Sequence, residues 1–104
     1  MTQNAMTDIV EVPADLADLI PAFLARAQES VQQIPDLLRA ESFAEITRIG
    51  HNLAGSGSSY GFTEVSCLGR QIESAARSSQ TPQVDALAHE LLEYLQSVLW
   101  RPES

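Results

Sequence analysis

The chain has 104 residues, which suits one domain of ordinary size and excludes a catalytic domain joined to a cofactor domain. Fourteen Asp and Glu stand against six Arg and no Lys, so the formal net charge of -8 has the wrong sign for binding nucleic acid or an anionic membrane. One Cys excludes an internal disulfide and leaves too few ligands for a structural zinc site, whereas 44% apolar residues suffice for a core.

The first twelve residues, MTQNAMTDIVEV, contain neither a basic segment nor a long apolar run, so they do not predict a secretory signal. No other stretch is apolar for long enough to span a bilayer. We therefore expect a cytoplasmic protein with a short flexible segment over residues 1–12 and a single domain over residues 13–104.

Apolar residues at steps of three and four predict a long first helical region. Pro21 is expected to open the main helix after a short turn, and Pro35 to kink it near its end, because proline donates no backbone hydrogen bond. The apolar stripe consists of Leu16, Ile20, Phe23, Ala27, Val31, Ile34 and Leu38.

A second helix is predicted to begin at Ser42, since Ser42 and Glu45 have the spacing of a capping box. It is expected to end near Tyr60, because Gly61 suits the left-handed residue that closes a helix. Its apolar stripe consists of Phe43, Ile46, Ile49 or Gly50, Leu53 and Gly57.

Two further helices follow, the third after the turn at residues 61–62 and ending over residues 77–80. Thr81 and Pro82 predict the start of the last helix, which is expected to run to about Leu99 before Pro102 stops it. No segment alternates as a strand does. The pattern therefore predicts an all-α, antiparallel up-down-up-down four-helix bundle with a short extra N-terminal helical turn.

Two histidines are candidates for chemistry near neutral pH, and both are predicted to lie far from the apolar stripe of their helix. His89 has Asp85 four residues before it and Glu93 four after it, and these carboxylates would repel an incoming phosphoryl group. We therefore interpret His89 as an ordinary surface residue.

The neighbours of His51 on its own helix include no carboxylate, which is unusual in so acidic a chain. Arg48, one turn before His51, could neutralise an anion attached to the ring. The residues at neighbouring helical positions are Thr47, Arg48, Ala54 and Gly55, with Ala44 and Ser58 one turn further.

Gly55 lowers helix stability by about 1 kcal/mol relative to Ala, so its presence needs an explanation. Gly50 and Gly57, on or near the buried stripe, could serve only for tight helix packing. Gly55 lies on the wrong face for that role. The close approach of a partner over the His51 ring is the simplest explanation.

An exposed lone imidazole supports a limited range of chemistry. No Ser-His-Asp or Cys-His arrangement is evident, and Cys67 is expected on the outer part of the third helix without an activating group. A neutral ring nitrogen can still act as a nucleophile on an electrophile that a partner supplies. A phosphoryl carrier meets this requirement.

Residues 51–62, HNLAGSGSSYGF, resemble the signature of histidine-containing phosphotransfer (HPt) domains. The matching residues are His51, Leu53, Gly55, Ser56 and Gly61. The similarity extends to residues 19–24 in the first helix, to Ile72-Glu73 in the third and to Tyr94-Leu95 in the fourth.

This resemblance implies that His51 is phosphorylated, taking a phosphoryl group from a receiver-domain aspartate or a hybrid sensor kinase and passing it to a response-regulator aspartate. The protein would be a monomeric phosphohistidine intermediate with no catalytic apparatus or cofactor of its own. The divalent metal would belong to the receiver domain.

The chain departs from the family pattern at Ala54, where a Lys is usual and is a candidate for steadying the phosphate. Arg48 and Arg77 are the proposed substitutes, whereas Arg70 is as readily an ordinary solvated residue. The docking surface is expected to include Ala44, Thr47, Asn52, Ala54, Gly55 and Ser58.

Two other interpretations remain open at this point. The missing Lys is compatible with a helical adaptor that binds a receiver or kinase domain without carrying phosphate. A metal site at His51 is the weaker possibility, because no acid or Cys lies near it in the sequence.

Overall fold

The computed structural model describes residues 9–104, so most of the segment that was expected to be flexible, residues 1–8, lies outside it. The described chain is mostly helical, and none of its helices is both long and apolar enough to cross a membrane. Its elements are β1 (Ile9–Val12), a 3-10 helix (Ala14–Leu19), α1 (Ile20–Gln32), α2 (Ile34–Arg39), α3 (Phe43–Tyr60), α4 (Thr63–Arg77), α5 (Thr81–Ser97) and β2 (Leu99–Pro102).

The first helical region is broken at Pro35 rather than kinked. Pro21 is the second residue of α1, as predicted, and Pro35 is the second residue of α2. A proline lacks the N–H that would continue the helical ladder, and its ring clashes with the carbonyl of the preceding turn. One predicted helix is therefore two consecutive helices.

Ser42 precedes α3 as predicted, but the prediction of a capping box is wrong. The Ser42 side chain makes no capping hydrogen bond, and the Glu45 carboxylate pairs with Arg48 instead of reaching back. The end of α3 follows the prediction: Gly61 has φ 87°, and the N–H of Phe62 donates to the Gly57 carbonyl at 2.8 Å.

The most extensive contact between two elements joins α3 and α4. Cβ atoms built on Gly50, Gly57 and Gly69 would lie 2.6–2.8 Å from backbone atoms of the facing helix. Gly57 faces Ser66 and Gly50 faces Glu73, so the two helices run antiparallel. The glycines let the two backbones approach more closely than any side chain would permit.

Most of the core comes from the predicted apolar stripes, although Val12 and Phe62 are buried core residues outside them. Helix α5 packs against α1 and α4, and α3 packs against α1 and α2. Five of the predicted apolar residues are only partly buried: Leu16, Leu38, Phe43, Leu87 and Val98. The largest fully buried side chains are Phe62, Ile20, Ile34, Ile46, Ile72, Leu91, Val12, Val31, Val65 and Val84.

The prediction that the chain contains no strand is wrong at both ends. β1 and β2 pair in parallel with Ile9 beside Leu99, and α5 ends at Ser97 instead of near Leu99. Residues 9–12 are therefore ordered within the predicted flexible segment. Strands of four residues are too short to show clear alternation, and their pairing joins segments about ninety residues apart, which local patterns do not reveal.

Gly69→Ala is expected to lower the free energy of unfolding by about 1–3 kcal/mol, because the new Cβ would lie 2.8 Å from the Ala54 nitrogen. Gly55→Ala is the matched control. Its Cβ would meet no atom within 4 Å, so the better helix propensity of Ala should raise stability by about 1 kcal/mol. Urea denaturation of both variants measures the difference. Equal effects of the two substitutions would contradict the assigned packing.

Candidate functional site

His51 lies in the middle of α3 with its imidazole in solvent, and its side chain is 73% exposed. An open depression of about 490 Å³ lies beside the ring. Most of its lining residues are small or polar: His51, Asn52, Gly55, Ser56, Ser59 and Tyr60. A flat surface of another molecule therefore has access to the ring.

Gly55 lies one turn after His51 on this face. A Cβ at Gly55 would meet no atom within 4 Å, so helix packing does not require glycine there. Gly50 and Gly57, by contrast, face the backbone of α4 at distances that exclude a Cβ. This confirms the predicted difference between Gly55 and the two glycines near the buried stripe.

A carboxylate lies beside His51, contrary to the inference that its surroundings are free of acids. His51 Nδ1 is 3.3 Å from Oε2 of Glu73, which projects from α4 and is only 16% exposed. The inference holds along α3 and is wrong for the folded chain. Glu73 is 22 residues away in sequence, so only the packing of α3 on α4 reveals the contact.

Arg77 completes a short chain of charged groups. Its Nη2 lies 3.0 Å from the same Glu73 oxygen that faces His51, one helical turn back along α4. Glu73 therefore lies between the imidazole and the guanidinium. The positive charge of Arg77 offsets the negative charge of the carboxylate. Arg77 contacts Glu73, and its own side chain is 69% exposed.

Arg48, the other predicted phosphate-stabilising residue, faces a different part of the surface. It pairs with Glu45, and both side chains are exposed. Arg48 lines a groove between α1 and α3, whereas the depression beside His51 is lined by other residues. The structure therefore groups Arg77, and not Arg48, with the acid that faces the ring.

Most residues expected at a docking surface are accessible, with one correction. Ala54 is buried, with 8% exposure, because it packs against Gly69 in the contact between α3 and α4. The Thr47 hydroxyl is partly buried and donates to the Phe43 carbonyl at 2.8 Å. The exposed members of the set are Ala44, Asn52, Gly55 and Ser58.

Ser66 is a residue that the sequence reasoning missed. It is the buried polar residue of the described core, with 3% exposure, and its hydroxyl donates to the Ala54 carbonyl at 2.9 Å. Its oxygen also lies 2.9 Å from the hydroxyl oxygen of Ser58. Serine on an amphipathic helix is usually exposed, so no local pattern signals this link between α4 and the His51 face.

His89 is as exposed as His51 and also lies near a carboxylate. A neighbouring acid therefore does not by itself distinguish the two histidines. Its Nδ1 is 2.9 Å from the Asp85 carbonyl and 3.6 Å from the Asp85 carboxylate on the same helix. The carboxylate at His51, in contrast, comes from a second helix and is mostly buried. Within residues 9–104, no group of three His, Cys, Asp or Glu side chains could hold a metal ion.

A known protein family matches most of the chain. The family model described as Hpt domain matches residues 18–99, a span that includes α1 to α5 and therefore His51, Glu73 and Arg77. Neither the curated proteins nor the solved structures gave a match. Because the matched span exceeds half of the chain, the protein belongs to the Hpt domain family, whose members act as phosphotransfer carriers in two-component signalling.

Proposed function

We propose that His51 accepts a phosphoryl group from a receiver-domain aspartate or a hybrid sensor kinase and passes it to a response-regulator aspartate. The observation that carries this proposal is the exposed imidazole whose Nδ1 faces Glu73 at 3.3 Å. One ring nitrogen is directed at a fixed carboxylate, so the other is left for chemistry. The open, small-residue surface around the ring provides the approach for a partner.

In the proposed reaction the neutral ring begins with its proton on Nδ1, 3.3 Å from the Glu73 oxygen that would accept a hydrogen bond from it. The lone pair of Nε2 then attacks phosphorus, and the bond between phosphorus and the aspartyl oxygen breaks with its electron pair returning to the carboxylate. The ring becomes positive as the N–P bond forms. Glu73 stabilises this charge at Nδ1–H, as the orienting carboxylate of a catalytic triad does.

Arg77 supports the site through Glu73 and supplies positive charge near the transferred group. Phosphoryl transfer depends mainly on positioning and on charge neutralisation, so a separate acid–base apparatus is not required. The divalent metal in this proposal belongs to the receiver partner. A direct role of Arg48 at the phosphoryl group stays a prediction.

The docking part of the proposal places a receiver domain over the His51 face of a monomeric, cytoplasmic carrier. Gly55 and its neighbours allow close approach, and Ala54 is removed from the proposed contact surface because it is buried. The short turns at residues 61–62 and 78–80, with antiparallel α3 and α4, support an up-down-up-down order for the whole bundle. The remaining proposed contacts are Ala44, Thr47, Asn52 and Ser58.

The decisive experiment is phosphorylation of wild type, His51→Gln and His89→Gln by a phosphorylated receiver domain. Acid-labile label is expected on wild type and His89→Gln and to be absent from His51→Gln. His89 is a matched control, because it is 72% exposed against 73% for His51. Equal label on His51→Gln would place the chemistry elsewhere. Receiver binding without label on any of the three proteins would favour the adaptor.

Glu73→Ala is expected to slow transfer to His51 by about tenfold, the scale seen for other groups that orient a histidine. The reason is loss of the acceptor for Nδ1–H, since the hydrogen bond at one ring nitrogen sets the tautomer. ¹⁵N NMR of the ring should show proton population moving from Nδ1 to Nε2.

Glu73→Gln retains an acceptor oxygen and should recover part of the tautomer ratio, but it lacks the charge that stabilises the positive ring, so its transfer rate should stay reduced. Glu90→Ala, which removes an exposed carboxylate of α5, is the control and should change neither. An unchanged tautomer ratio in Glu73→Ala would show that Glu73 does not orient His51.

Gly55→Leu is expected to reduce transfer from a receiver domain at least tenfold while leaving labelling by phosphoramidate unchanged. The leucine side chain would extend into the space that the partner occupies, whereas the small donor still reaches the ring. Gly55→Ala should have a smaller effect, and circular dichroism should show both variants folded, because the site of the new Cβ is open. Equal losses with both donors would point to damage within the site itself.

A further inference from the structure

A second concave surface lies between α1 and α3, beside the His51 face. The groove has a volume of about 340 Å³. Its floor includes the buried apolar side chains Phe23 and Ala27, each 3% exposed, and its rim carries Arg26 and Arg48. An apolar floor beneath two guanidinium groups suits a segment that presents an apolar side chain next to an acidic one.

The charge of this groove is opposite to that of the whole molecule. The groove lining contains two guanidinium groups, Arg26 and Arg48, and one carboxylate, Glu45, so it carries one net positive charge in a chain of net charge -8. Arg48 already pairs with Glu45. Among residues 9–104, Arg26 forms no ion pair with any carboxylate.

The groove is continuous with the surface around His51. Asn52 and Ser56 line both the groove and the depression beside the imidazole. A molecule that covers His51 and is as wide as a small domain therefore also covers the groove. Its contacts there would form away from the reacting atoms and could differ between partners without changing the chemistry.

We propose that this groove selects the receiver partner by binding an acidic segment of it, with a carboxylate between Arg26 and Arg48 and an adjacent apolar side chain on the floor. The inference rests on the proposed function, since it takes the molecule docked over His51 to be a receiver domain. It adds which chemistry on that receiver is recognised. Two guanidinium groups can hold one carboxylate by several charge-assisted hydrogen bonds.

Physical considerations favour such a contact. A chain of charge -8 repels an acidic partner at long range, and a local positive site of known position offsets this repulsion and fixes the orientation of docking. An exposed ion pair contributes little by itself, but covering the groove removes water from the charges and strengthens their interaction. An apolar side chain of the partner would lose its contact with water on entering the groove.

The test compares Arg26→Glu with Arg39→Glu. Both substitutions change the net charge equally, but Arg39 lies on α2 outside the groove, where it pairs with Asp36. Kd is measured by calorimetry for the tightest-binding member of a panel of receiver domains, at low and high ionic strength. Arg26→Glu should raise Kd about tenfold at low salt and less at high salt, whereas Arg39→Glu should stay within twofold.

Two further arms separate this inference from the proposed function. Phosphoramidate should label His51 equally in wild type and Arg26→Glu, because the small donor needs no docking. Repeating the binding series in the His51→Gln background measures recognition without transfer. If wild type takes up no label while the Kd for the receiver still depends on Arg26, the carrier function is refuted and the role of the groove is supported.

Equal Kd values for Arg26→Glu and Arg39→Glu would overturn the inference, because the effect would then follow net charge alone. A second copy of the chain is the alternative occupant of the groove. Sedimentation of wild type and Arg26→Glu measures whether the protein self-associates. Self-association that Arg26→Glu abolishes, together with unchanged receiver binding, would assign the groove to a homodimer and would also overturn the inference.

Discussion

The close approach of α3 and α4 is the constraint on which the proposed site depends. Gly50 and Gly69 leave no Cβ between the two backbones, and a Cβ at Gly50 would lie 2.7 Å from the Glu73 nitrogen. His51 follows Gly50 directly, and this contact between the helices places Oε2 of Glu73 3.3 Å from Nδ1 of His51. A wider separation of the helices would leave the imidazole without its partner, so helix packing and histidine orientation are one structural feature.

The site combines a histidine exposed to solvent with a carboxylate that is mostly buried. His51 is mostly exposed, as a group must be if another protein supplies its substrate, whereas Glu73 is mostly buried and also bonded to Arg77. A carboxylate held in this way can orient the ring without requiring the ring itself to be buried. The comparison with His89 is informative, because its nearby Asp85 is exposed and lies on the same helix. Exposure and a neighbouring acid are therefore common to both histidines, and the origin of the acid distinguishes them.

In the folded chain, the charged residues are unevenly distributed over the surface. The His51 face is built from small residues, and the adjoining groove carries Arg26 and Arg48 over an apolar floor. In the proposed complex, the excess of carboxylates disfavours acidic partners in most orientations, and the groove favours one orientation. Chemistry at His51 and recognition in the groove would then be separable, which would allow one carrier chemistry to serve partners chosen by different contacts.

Much of this protein followed from the sequence alone: the helical class, the apolar stripes, the glycine that closes α3 and the exposure of His51 and Gly55. These features depend on residues within a few positions of one another, and helical periodicity reports them directly. The 3.3 Å contact between His51 and Glu73, the burial of Ala54 and Ser66 and the two parallel strands were decided by tertiary structure. Each depends on how far one backbone lies from another or on which of several partners a side chain takes, and a one-dimensional pattern carries no information about distance across the fold.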